Sequence, residues 1–164
     1  MMAASKNLTP ITLELGGKNP CYIDPSADIE VATRRIIWAK FINAGQACIS
    51  VDYILCSAEV REKFLCFAFQ FIHEWYGSNT SSRNGSNLSR IVNEKHFSRL
   101  SNLLNFIETN KRGVIAIGGR TDESTLSIEP TVVSKSLVSK YKIIYLYIDN
   151  IQPRHYRNKR KLFG

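Results

Sequence analysis

Between Asp52 and Tyr76 the spacing of apolar residues changes period, and that change restricts the fold more than any other feature of the chain. Asp52-Tyr53-Ile54-Leu55-Cys56 is a short β-prone run, whereas Val60, Phe64, Phe67, Phe71 and Trp75 recur at helical spacing over Ala58 to Tyr76. A strand feeding directly into a long helix is the building unit of an α/β layer. Leu65, Phe69 and Ile72 widen the apolar stripe so far that this helix is expected to be largely buried.

The same alternation runs along the rest of the sequence. Ile11-Thr12-Leu13-Glu14-Leu15 reads as a strand stopped by Gly16-Gly17, and Cys21-Tyr22-Ile23 as a second. Asp24-Pro25-Ser26-Ala27-Asp28 supplies turn and N-cap chemistry, with Glu30 in the first turn, for a helix carrying Ile29, Ala32, Ile36 and Ile37 inward. That helix should end near Asn43-Ala44-Gly45, where glycine allows a left-handed exit, leaving Gln46-Ala47-Cys48 in a loop. Residues 77–87 read as a loop. A helix from about Leu88 to Thr109, with Val92, Leu100, Leu103, Leu104 and Ile107 on one face, precedes a strand over Gly113 to Ile117. The expectation is an α/β fold with a largely parallel sheet.

At 164 residues the chain has the length of one domain, too short for a whole two-domain nucleotide-dependent enzyme. Its net charge of +8 is unevenly placed: residues 1–134 hold 14 Lys+Arg against 13 Asp+Glu, and residues 135–164 hold 8 against 1. A domain-wide basic face for nucleic acid is therefore not supported, and no specific nucleic-acid partner is expected. Within the basic tail, residues 141–148 could form a strand, whereas Arg154 to Lys161 has no apolar period and is expected to be disordered.

No apolar run is long enough to span a bilayer and the first residues lack a secretory h-region, which points to a cytoplasmic protein. Cys21, Cys48, Cys56 and Cys66 lack metal-site spacing and read as free thiols, and His73, His96 and His155 lie far apart; no metal is expected.

Two groups stand where chemistry could occur. Glu14 ends a strand before two glycines, which let backbone pass close to a ligand, and Cys48 follows a helix in a loop whose free N–H groups could hold a thiolate or an oxyanion. Gly16-Gly17-Lys18-Asn19 lacks the pattern of a phosphate-binding loop, and Gly118-Gly119 does not give a dinucleotide fingerprint.

The stretch from Leu8 to Pro20, Leu-Thr-Pro-Ile-Thr-Leu-Glu-Leu-Gly-Gly-Lys-Asn-Pro, resembles the glutamate signature of the aldehyde dehydrogenase superfamily. Phe41-Ile42-Asn43-Ala44-Gly45-Gln46-Ala47-Cys48 resembles its cysteine signature, in the family's order and at about its spacing. Residues 52–56, 90–93, 96–100, 118–123 and 129–132 resemble the class 3 branch, which includes the fatty aldehyde dehydrogenases. Similarity covers about residues 3–134.

The resemblance implies a partial three-layer αβα catalytic domain, with most of the Rossmann-like cofactor domain absent from these 164 residues. Residues 1–18 would be the end of the cofactor-binding domain, 19–134 a partial catalytic domain, and 135–164 an unrelated basic tail. Cys48 would be the nucleophile, its backbone N–H half of an oxyanion hole, Glu14 the base that activates water, and the Leu15 carbonyl a contact to the nicotinamide. The implied cofactor is NAD or NADP and the substrate an aldehyde. A chain lacking most of the cofactor surface is expected to be weakly active or inactive alone, and the partners implied are a second copy in a homodimer or a full-length relative; the alternative reading is a non-catalytic fragment that associates with or regulates a full-length subunit.

Overall fold

The structure, a computed structural model, describes residues 1–77, 87–136 and 141–147. After a single helical turn, α1 (Met2–Ser5), the chain runs without regular structure to β1 (Asn19–Tyr22). The carboxylate of Asp28 accepts the Val31 N–H at 3.0 Å and so opens α2 (Ile29–Phe41), with Glu30 favourably placed in its first turn. The buried face of α2 carries Ile29, Thr33, Ile36, Ile37, Lys40 and Phe41, while Ala32 is only half-buried.

A short 3₁₀ turn, Ile42–Gly45, leads through the Cys48 loop into β2 (Val51–Ser57). Ser57 ends that strand and caps the next helix, α3 (Ala58–Tyr76), by accepting the Val60 N–H at 3.3 Å; Gly77, at φ 75°, closes it. The remaining elements are α4 (Glu94–Thr109), β3 (Val114–Ile117), β4 (Thr121–Asp122), β5 (Ser127–Ile128), β6 (Thr131–Ser136) and β7 (Tyr141–Tyr147).

The α/β class is the one expected, but the strand directions differ from the expectation. The five-stranded sheet has the order β1-β2-β7-β6-β3, and β4 pairs with β5 separately. Of the paired strands only β1 and β2 are parallel, joined by the crossover helix α2; β2–β7, β7–β6 and β6–β3 are antiparallel. Ile54, Cys56, Ile144, Leu146 and Val132 form the sheet side of a core completed by Ile37, Phe41, Phe64, Phe71 and Leu104.

Three expectations need correction. Residues 11–15 form no ladder: they are exposed and pair with no strand among the described residues. The last helix starts at Glu94, not Leu88, and Val92 is 71% exposed. Residues 90–92 spend their backbone groups on tertiary bonds instead, Ile91 N–H to the Leu126 carbonyl and Val92 N–H to Gln46, and Asn93 then caps α4 by accepting the His96 N–H at 2.9 Å. The aromatic helix α3 is two-faced, burying Val60, Phe64, Ala68, Phe71 and Ile72 but leaving Phe69 60% exposed. β6 continues past residue 134 to Ser136, and residues 141–147 pair on both edges, as the strand-like run suggested. Residues 78–86 of the loop expected at 77–87, and residues 148–164 of the tail with its anticipated disorder, lie outside the described residues.

Beneath the Cys48 loop lies a buried ion pair. Lys40 Nζ is 3.6 Å from Asp52 Oδ1, with side chains 0% and 3% exposed, and Asp52 Oδ2 accepts the Asn19 N–H at 2.8 Å. The end of α2, the start of β2 and the start of β1 are thereby joined through one carboxylate.

Urea unfolding should separate these contributions. Phe64→Ala is expected to cost about 3–5 kcal/mol, and Phe69→Ala, on the same helix, no more than about 0.5 kcal/mol. Asp52→Ala removes the carboxylate that faces the buried Lys40 ammonium and is expected to cost about 3–5 kcal/mol.

Candidate active site

The helix carrying the cysteine segment ends in a strained turn. Asn43 (φ 52°), Ala44 (φ 53°) and Gly45 (φ 74°) are all left-handed, so the exit expected at glycine begins two residues earlier. Asparagine tolerates that conformation, but a left-handed alanine costs about 1–2 kcal/mol, and Ala44 is fully buried.

Gln46 offsets the strain. Its Nε2 donates to the Asn43 carbonyl and to the Arg90 carbonyl, each at 3.0 Å, and its Oε1 accepts the Val92 N–H at 3.0 Å. Asn43 Nδ2 returns a bond to the Gln46 carbonyl at 3.2 Å. The side chain before the cysteine is thus fastened to a segment more than forty residues away in sequence.

Cys48 stands in the turn that follows, closed by the Ser50 N–H donating to the Ala47 carbonyl at 3.0 Å. It is exposed, as is Cys66 on α3; Cys21 is half-buried and Cys56 buried. Burial pushes the Cys56 thiol up to about 11, against a slight counter-pull from Arg61, and raises that of Cys21 as well. At neutral pH these two are poor nucleophiles.

Glu14 and Leu15 lie on the exposed, extended segment before β1, with Leu15 68% exposed. The two segments meet at Gly17. A Cβ built on Gly17 would stand 2.0 Å from the Cys48 carbonyl oxygen, so only glycine permits the contact. Two residues on, Asn19 Nδ2 donates to the carbonyls of Cys48 (2.7 Å) and Ser50 (2.9 Å). Three residues of chain reach at most about 10–11 Å, which sets how far the Glu14 backbone can lie from that contact. No hydrogen bond links Glu14 to Cys48 among the described residues.

Sequence reasoning singled out Glu14, Leu15 and Cys48 as candidates but not the residues that hold the Cys48 turn and its base, Asn19, Lys40, Gln46 and Asp52. For two of these a signal existed. Asp52 shares the inward face of β2 with Ile54 and Cys56, and Lys40 follows Ile36 and Ile37 by helical spacing, so both charges are directed into the core by the pattern itself. No local pattern announces the long-range bonds of Asn19 and Gln46. No helix among the described residues is long and apolar enough to cross a membrane.

Comparison with known proteins shows the family and the fold. The sequence model of the aldehyde dehydrogenase family matches residues 1–141. The chain is 47% identical to mouse aldehyde dehydrogenase family 3 member B1 over 133 residues, 81% of this chain and 27% of that protein. It is 46% identical to member A2 of the same family from Macaca fascicularis, over 82% of this chain and 26% of that one.

Among solved structures, the substrate-bound state of Staphylococcus aureus AldH aligns with a TM-score of 0.69 at 42% identity, covering 79% of this chain and 27% of that one. A mutant of aldehyde dehydrogenase C from Pseudomonas syringae, solved with NAD+ and octanal, aligns with a TM-score of 0.68 at 25% identity, covering 85% of this chain and 29% of that one. The chain therefore spans about a quarter of the length of the curated relatives it matches. With a family match over residues 1–141 and a fold that follows those structures, the chain belongs to the aldehyde dehydrogenase family and holds part of its fold.

Proposed function

We propose that this chain carries the nucleophile and the hydrolytic base of an NAD- or NADP-dependent aldehyde dehydrogenase that oxidises aldehydes to carboxylic acids. The observation that supports the reading is the contact at Gly17, which sets the segment bearing Glu14 against the carbonyl of an exposed cysteine.

The Cys48 thiolate adds to the aldehyde carbon to give a thiohemiacetal, with the Cys48 N–H donating to the oxyanion. A bound nicotinamide supplies the hydride acceptor for the oxidation that leaves a thioester on Cys48. Glu14 takes a proton from water, which attacks the thioester carbonyl; the C–S bond breaks, the carboxylic acid departs and Cys48 is regenerated.

The residues present fit one edge of such a cofactor. Leu15 is 68% exposed and its carbonyl has no hydrogen-bond partner among the described residues, so it is free to accept from a carboxamide N–H. Gly17 is not part of a phosphate cradle, because the space a side chain would fill there is taken by the Cys48 carbonyl. Turnover on aldehydes then requires cofactor contacts from beyond these residues. On this reading the chain is cytoplasmic and associates with a second family subunit, a role to which the exposed Val31 and Trp38 of α2 and Ile42 of the turn after it are suited.

Ester hydrolysis needs no cofactor and isolates the thiol chemistry. With a p-nitrophenyl ester, Cys48→Ser is expected to abolish both the acylation burst and turnover. Glu14→Gln should keep the burst and slow deacylation by about 10²–10⁴-fold, and Cys66→Ser should change neither. A Cys48→Ser variant that retains the wild-type burst removes the proposal. Iodoacetamide at pH 7.5 is expected to modify Cys48 and Cys66 in the native chain and to spare Cys56 and Cys21 until denaturant is added, as read by peptide mass spectrometry.

A further inference from the structure

We propose that Asn19 is a positioning residue: by clamping the Cys48 carbonyl it fixes where the thiol stands relative to the segment that bears Glu14. The role rests on the reading of Cys48 as nucleophile, but the clamp itself is geometric.

Asn19 is the one described side chain that bonds both carbonyls flanking the turn, Cys48 at 2.7 Å and Ser50 at 2.9 Å. Both hydrogens of its amide are thereby used, which fixes the rotation of the side chain as well as the two peptide planes it holds. Its own backbone is fixed from below, because its N–H donates to Asp52, which faces the buried Lys40. Gly17 completes the clamp by leaving the Cys48 oxygen room to reach the amide.

A trans peptide places the C=O and the following N–H on opposite sides. Holding the Cys48 oxygen inward therefore turns the Ile49 N–H outward and defines the direction in which the turn presents its backbone. The cysteine segment is tied to the glutamate segment five residues after Glu14, by bonds that do not involve either reacting group.

The same geometry explains why the clamp is polar. A carbonyl pressed against Gly17 loses water on that side, and an unsatisfied acceptor there would cost about 1–3 kcal/mol. An apolar residue at position 19 would fill the volume and leave both carbonyls without a donor.

Solution NMR on the full 164-residue chain tests this. In Asn19→Ala the Cys48 carbonyl carbon, read through the Ile49 amide, is expected to move upfield, as a carbonyl does on losing a donor. A nitroxide on Cys48, in a Cys66→Ser background, is expected to broaden the amides of Glu14, Leu15 and Gly16. That broadening should be lost in Asn19→Ala and in Gly17→Ala, whose added Cβ displaces the same oxygen.

In ester hydrolysis Asn19→Ala should lower kcat by about 10²-fold with KM unchanged. Unchanged carbonyl shift and broadening in Asn19→Ala overturn the proposal. Should the variants fail to fold, the wild type decides: side-chain amide protons of Asn19 that exchange as fast as those of a free asparagine overturn it, and slow, dispersed ones support it. A wild-type chain without ester turnover but with shift and broadening as expected removes the proposed chemistry and leaves the clamp standing.

Discussion

The Asp52 carboxylate, buried between Lys40 and the Asn19 backbone, is the contact on which the rest of the arrangement depends. Removing a carboxylate and an ammonium from water costs several kcal/mol per ion, and an apolar pair of the same volume would often stabilise as much. What the ions add is direction. A carboxylate has two oxygens, and here one faces the last turn of α2 while the other accepts the first N–H of β1, so helix and strand are set in register around the start of β2. The Ser50 hydroxyl adds a further tie, donating to the Lys40 carbonyl at 3.3 Å near the helix end, where carbonyls lack helical partners. The cysteine turn lies directly above these bonds.

The turn itself holds strain that the surroundings over-determine. Three successive left-handed residues would not persist in an isolated peptide, but Ala44 is enclosed by the core and Gln46 fastens the turn to residues 90–92. The cost at Ala44 is comparable to the net worth of one or two hydrogen bonds, and the Gln46 side chain makes three. That trade also accounts for the late start of α4. Residues 90–92 cannot both accept helical geometry and serve Gln46 and Leu126, and the tertiary bonds win.

Much of this was readable from the sequence, and what was not follows a rule. The bounds of α3 and the cap of α2 come from local chemistry, with period, N-cap and glycine exit in agreement. The exposed Phe69 shows the limit of period alone, since a stripe widened by aromatics does not reveal how much partner surface exists to cover it. Strand alternation at residues 11–15 was real, but alternation makes a strand only where a neighbour offers a ladder. The family signatures pointed to Cys48, Glu14 and Leu15 as candidates, and none of the three reveals Asn19 or Gln46, whose long-range partners lie 29 to 46 residues away.

The direction of the sheet adds a last constraint on the site. Because β7 pairs with β2 along Tyr53 to Ser57, and β1 pairs with its other edge, the strand that begins just after the cysteine turn is interior to the sheet, not an edge. Its ladder groups are engaged on both sides, and Ile144 and Leu146 of β7 are buried beside Ile54. An edge strand can twist or slip to relieve a strained loop at its end; a strand fixed on both edges transmits that strain back into the loop. Most of β7 lies beyond the residues that the family model matches, so the stiffness beneath the signature cysteine is supplied partly by residues that carry no signature.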